Sequence, residues 1–158
     1  MKSTAFYKGS VTVLPMNKKA ERFQAYLQER DKDAFHMEEV KEGAQEAVIF
    51  QSFLAVEGQQ LPLLVILDNS VFAVVRVQLA SKALREENKL ALLQLASEEN
   101  FKYKPFKLYF DEQGNLLLDS FLLVKEDDLK GEDLYLLFEV MMNYLKESYR
   151  TIMKAVWE

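Results

Sequence analysis

The longest apolar stretch, LPLLVILDNSVFAVVRVQLA from Leu61 to Ala80, carries only two charges, Asp68 and Arg76. Leu63 to Leu67 and Val71 to Leu79 are β-branched-rich runs. Asp68-Asn69-Ser70 between them supplies residues that tolerate left-handed backbone and bond their own main chain. The pattern predicts a hairpin at the centre of a sheet. Upstream, Ala47 to Val56 alternates Val48, Phe50, Leu54 and Val56 on one face with Ile49, Gln51, Phe53 and Ala55 on the other, as a strand does. A four-residue turn, Glu57 to Gln60, joins it to the hairpin, so the three strands form an antiparallel meander, because connections this short cannot cross over to a parallel neighbour.

Three segments change period. Asn17 is suited to cap a helix over 18–30, where Ala20, Phe23, Tyr26, Leu27 and Arg30 recur at three- and four-residue spacing. Ser81 is suited to cap a second helix reaching Glu99, with Leu84, Ala91, Leu92 and Leu95 along one face and Leu90 and Leu93 pointing elsewhere. The last helix, from Glu132 to Val156, has a stripe of Leu134, Leu137, Phe138, Met141, Leu145, Tyr149, Ile152 and Val156 widened by Tyr135, Met142 and Met153. Glu126-Asp127-Asp128 before it suits the positive end of a helix dipole.

Between the second and third helices, Phe106, Leu108 and Phe110 alternate with Lys107, Tyr109 and Asp111, and Gln113-Gly114-Asn115 contains the glycine of a tight reversal before Leu116 to Val124 returns. Residues 1–16 form an N-terminal arm or edge strand, with Val11 and Val13 alternating against Ser10 and Thr12. The 34–45 segment is consistent with a short strand over 35–40 and a turn at Gly43. The fold class is α+β, a single domain over 17–158 in the order α-βββ-α-ββ-α.

Composition narrows the function. With 158 residues, 49% hydrophobic and 28% charged, the chain has the make-up of one globular domain. A net charge of -5 without a concentrated basic patch argues against nucleic acid as a partner. Lys102, Lys104 and Lys107 interleave with Phe101, Tyr103 and Phe106, which fits a defended edge strand better than a base-stacking surface. The absence of cysteine excludes disulfides and thiolate chemistry. The N-terminus lacks the apolar core of a secretory signal and no stretch reaches membrane-spanning length, so a cytoplasmic protein with no membrane partner is expected.

The stretch LLQLASEENFKYKPFKLYFDEQGNLLL, Leu92 to Leu118, resembles the YbjN-like (bacterial sensory transduction regulator) family, whose fold is type III secretion chaperone-like. A helix ending in an LNxLN-type segment, a basic-aromatic turn, a strand and an acidic-glycine hairpin follow one another there. Asn100 matches the second asparagine of that segment, while Ser97 stands in place of the first. The resemblance spans the element order from about 17 to 157. It implies a non-catalytic, chaperone-like or regulatory module, dimeric in many members, that presents apolar sheet and helix surfaces to a polypeptide.

No catalytic pattern competes with that expectation. His36 is the single histidine, and metal chemistry would fall to carboxylates alone. Asp111 to Asn115 lacks the spacing and helical flanks of an EF-hand, and neither a nucleophile elbow nor a glycine-rich phosphate loop is present. No enzyme activity, cofactor or metal is therefore expected. The partner is expected to be a protein, with the chain itself forming a homodimer.

The candidate partner-binding residues fall in two groups. On the hairpin they are Leu64, Ile66, Phe72, Val74 and Arg76, provided the helices cover the face of Val71, Val75 and Val77. Arg76 in an apolar strand needs either a carboxylate partner or an open face, and solvent exposure with its stem over Phe72 or Val74 is the preferred reading. On the last helix, Leu134, Phe138, Met141, Leu145 and Ile152 are assigned to the core, and Tyr135, Met142, Tyr149, Met153 and Trp157 to an interface. The alternative function is small-ligand binding in an apolar pocket between the sheet and this helix.

Overall fold

The computed structural model describes residues 17–40 and 46–158. The expected arm over 1–16 and the turn at Gly43 lie outside them. Helix α1 spans Lys18–Arg30, and four strands follow: β1 His36–Val40, β2 Ala47–Val56, β3 Gln59–Leu67 and β4 Phe72–Ala80. Then come α2 Lys89–Lys102, β5 Lys107–Phe110, β6 Leu116–Leu123, a short 3-10 turn at Glu126–Asp128 and α3 Gly131–Trp157. The fold is α+β, a single antiparallel sheet in the order β1-β2-β3-β4-β6-β5. The meander has four strands rather than three, since His36–Val40 pairs along β2.

Alternation decides which side is covered. Val48, Phe50, Leu54, Leu63, Val65, Ala73, Val75, Val77, Leu108 and Leu118 are buried and share one core with Phe23 of α1, Leu92 of α2 and Met141, Leu145 and Ile152 of α3. All three helices thus bury their apolar stripes on one face of the sheet. The covered face of β4 runs from Ala73 to Leu79, whereas Val71 precedes the strand and is exposed.

Polar side chains fasten the helices to the sheet. Asn17 caps α1 by accepting from the Ala20 amide at 2.9 Å, while its Nδ2 donates to the Leu67 carbonyl at 2.9 Å. Lys19 is fully buried, and its ammonium donates to the Ser70 and Phe72 carbonyls, both at 2.6 Å, with Asp68 at 3.9 Å. Burial pushes the Lys19 pKa down, and Asp68 opposes that shift. Tyr144 of α3 donates to buried Glu99 of α2 at 2.8 Å. Among the described residues, no buried side-chain nitrogen or oxygen lacks a hydrogen-bond partner.

The second helix begins at Lys89, not near Ser81. Residues 81–88 instead dock on the β5–β6 turn: Asn115 Oδ1 accepts from the Lys82 amide, and the Gly114 carbonyl accepts from the amides of Ala83 and Leu84. Gly114 takes φ +80°, the left-handed region where glycine is favoured. Asn88, at the helix start, turns its amide to the Ala83 and Val156 carbonyls and so also holds the end of α3. At the far end of α2, Asn100 bonds both the amide and the carbonyl of Leu108, occupying a pairing position on the outer edge of β5.

Gly131 opens α3 directly against α1, where an added Cβ would overlap the Tyr26 ring. Arg22 Nε bonds the Leu129 carbonyl at 2.7 Å beside it, and the Tyr26 and Tyr135 rings lie 5.5 Å apart. Gly131→Ala is therefore expected to destabilise the protein by about 1–3 kcal/mol, as overpacking does. Urea denaturation should show part of the loss recovered when Tyr26→Leu is added. An unchanged urea midpoint for Gly131→Ala would show that Tyr26 moves aside at no cost.

Candidate protein-binding face

The side of the sheet opposite the helices carries the even-numbered residues of β3 and β4 and the odd-numbered residues of β5 and β6. In register across β3, β4 and β6 stand Leu64, Arg76 and Asp119 in one row and Ile66, Val74 and Phe121 in the next. Phe72 pairs with Leu123 at the end of the strands. Exposure reaches 43% at Phe72, 46% at Phe121 and 75% at Leu123, with Phe53 of β2 at 64%. Phe72 and Phe121 meet edge to face, their centroids 6.2 Å apart. Phe72, Phe121 and Leu123 are neighbours at one end of this face, whereas Phe53, paired with Pro62, stands at the other; exposed apolar neighbours of this size on an ordered sheet are the usual mark of an interaction surface.

A polar cluster is set into this face. Arg76 does not point freely into solvent. Its Nε and Nη2 donate to the two Asp119 oxygens at 2.8 and 2.9 Å, and Tyr109 donates its hydroxyl to the same carboxylate at 2.9 Å. Asp119 is 4% exposed, so its charge requires this compensation, and the paired reading of Arg76 replaces the solvent-facing one. The hydrogen bond to Asp119 raises the Arg76 pKa further, and burial with the adjacent carboxylate pushes the Tyr109 phenol up to about 12. Lys107 places its ammonium 4.5 Å from the centre of the Tyr109 ring. Phe72, Val74, Phe121, Arg76, Lys107, Asp119, Asp68 and Ser70 enclose a shallow depression of about 490 Å³.

The predicted sheet residues come together. Leu64, Ile66, Val74 and Arg76 are half-buried and Phe72 is exposed, all on the uncovered face. The helix residues lie in the opposite layer. Tyr135, Met142 and Met153 are half-buried against the core, and Trp157 is 65% exposed. Tyr149, assigned to an interface, is instead a buried core residue, and burial raises its phenol pKa. Phe138, assigned to the core, is half-buried beside Met142. Phe53, Lys107, Tyr109, Asp119, Phe121 and Leu123 join this face without being among the residues expected there. One signal could have found Asp119: it is the lone charge in its strand, as Arg76 is in its own, and the two signs are opposite.

His36 lies exposed on the edge strand β1, where Glu38 accepts from Gln51 rather than from the imidazole. Among the described residues, no group of three His, Asp or Glu side chains could hold a metal ion. Among the described residues no helix is long and apolar enough to cross a membrane. Neither a family model nor a curated protein matches this sequence.

Removing either half of the ion pair has unequal consequences. Arg76→Met leaves the enclosed Asp119 carboxylate short of a cation and is expected to cost about 2–4 kcal/mol. Asp119→Leu should cost less, because Arg76 is partly exposed and can turn to water. Arg76→Met/Asp119→Leu together should restore most of the loss in urea denaturation, and additive losses would deny the coupling.

The tyrosines also predict an alkaline weakness. Tyr109 and Tyr135 are pushed up to about 12 and Tyr144 higher still, each chiefly by burial. Their folded-state values lie above the unfolded value near 10, so their contribution is complete below about pH 10. It is lost as pH rises toward and through the folded values. Lys19 has the opposite sign, but only in the window below its unfolded value of about 10.5. The urea midpoint should therefore fall steeply above pH 10.5, less so for Tyr109→Phe. A flat profile to pH 12 would contradict these environments.

Proposed function

We propose that the protein is a non-catalytic protein-binding module, chaperone-like or regulatory, that works through the uncovered face of its sheet. The observation that carries this reading is the one-sided packing of the helices. They bury the Val75 face completely and leave Phe72, Phe121, Leu123 and Phe53 exposed on the other. Water against that surface is unfavourable at roughly 25 cal/mol per Å² of apolar area, which favours a partner that removes it. The order of helices and strands, with one strand more than expected, is compatible with a type III secretion chaperone-like architecture, and a YbjN-like relationship and a cytoplasmic location belong to the same proposal.

We assign self-association to a different surface. Met142 lines a shallow groove with Leu54 and Phe138, and Leu136, Val140 and Trp157 are exposed on the same helix. Met142 and Trp157, on the same flank of the helix, suit a homodimer contact that leaves the sheet face available. The ligand-pocket alternative gains no support from the packing between sheet and α3, where Val75, Met141, Leu145, Ile152 and Val156 have no exposed surface.

Hydrogen exchange on a complex captured from cell extract tests the reading. Exchange across 72–78 and 117–123 should slow on binding, and Phe121→Ser should abolish capture while leaving the fold intact. Protection confined to the helices would exclude the sheet face. In light scattering, Met142→Asp or Trp157→Asp should shift the mass toward monomer with the helical signal unchanged, and a wild-type monomer at every concentration would exclude the dimer.

A further inference from the structure

We propose that the depression beside Arg76 takes a protein segment carrying a carboxylate among apolar side chains. This rests on the protein-binding reading above and adds the partner's charge. Phe72, Val74 and Phe121 supply an apolar floor and wall, which fixes the apolar part of the partner. The charges fix the rest.

Both carboxylates of the depression are engaged within the chain. Asp68 accepts from the amide and hydroxyl of Ser70 and faces Lys19, and Asp119 is held by Arg76 and Tyr109. Neither is left to receive a cation from outside. Lys107, by contrast, forms none of the ion pairs found among the described residues, and the Tyr109 ring steadies it over the depression. The neighbouring phenol stays neutral across the physiological range and offers no counter-charge. A chain of net charge -5 thus presents, among the described residues, a positive group without an ion-pair partner on its apolar face.

A partner that covered Lys107 without a carboxylate would desolvate a cation for no return. One that brought a lysine would add repulsion from Lys107. A Glu or Asp on the partner, or its C-terminal carboxylate, reaches Lys107 while its apolar neighbours rest on Phe72 and Phe121. Because both Asp119 oxygens hold Arg76, it forms a fixed wall rather than a second mobile arm.

Two fluorescein-labelled peptides with the same Leu and Phe positions, one with Glu and one with Lys between them, test this by fluorescence anisotropy. The Glu peptide should bind at least about tenfold more tightly, the equivalent of one charge contact. Lys107→Glu, an exposed substitution, should reverse the preference, and Val74→Asp should abolish binding with the circular dichroism spectrum unchanged. Equal or tighter binding of the Lys peptide, still lost in Val74→Asp, would overturn the charge inference and leave the face as a protein-binding surface. Binding of both peptides indifferent to Val74→Asp would overturn both readings. A dimer that Val74→Asp converts to monomer would assign the face to a second copy and overturn the proposal.

Discussion

A β-sheet has two faces, and three helices placed on one of them cannot shield the other. That constraint organises this molecule. The strands β3 and β4 are apolar on both sides, with Val65, Val75 and Val77 inward and Ile66, Phe72 and Val74 outward. The inward set is joined by residues from every helix in a continuous core. Among the described residues the outward set has only its own sheet neighbours. Stability therefore comes from one face, while the other keeps a large apolar surface in reserve, and the two demands do not compete for the same side chains.

The outward face is not uniformly greasy, which matters for specificity. Arg76, Asp119 and Tyr109 form a closed hydrogen-bonded set in the middle of it. Such a set contributes little net stability compared with apolar replacements of similar volume, because desolvation offsets most of the attraction. It does fix where each donor and acceptor stands. An apolar surface interrupted by a positioned polar cluster restricts which segments can lie flat upon it, since any occupant must respect the cluster's geometry as well as bury the rings.

Much of this architecture was legible in local pattern. Period-two alternation marked β2 and β5, β-branched runs around Asp68-Asn69-Ser70 marked β3 and β4, the Gly114 reversal marked β6, and the Asn17 cap with its following stripe placed α1 to the residue. The face of β4 carrying Phe72 and Val74 followed from parity alone. What escaped was whatever depends on residues far apart in the chain. The start of α2 was misplaced because residues 81–88 are held by Asn115 and Gly114, about thirty positions away, and no helical propensity reports that. Tyr149 lies in the same stripe of α3 as Leu145 and Ile152, and its helical spacing rather than its amphipathic side chain decides its burial. The Arg76–Asp119 pair required knowing that β4 neighbours β6, although α2 and β5 intervene in sequence.

The position of Asn100 reaches beyond the fold of one chain. A sheet that recruits further strands must offer an edge whose amides and carbonyls are vacant, and endless growth needs such an edge at both ends. At β5 the carboxamide of Asn100 already answers Leu108 as a neighbouring strand would. Addition of strands at that margin is thus blocked by a single side chain, and propagation through it is interrupted. Even if two copies met along β1, the joined sheet would end in an asparagine at either side. Growth by strand addition alone would then stop at a pair.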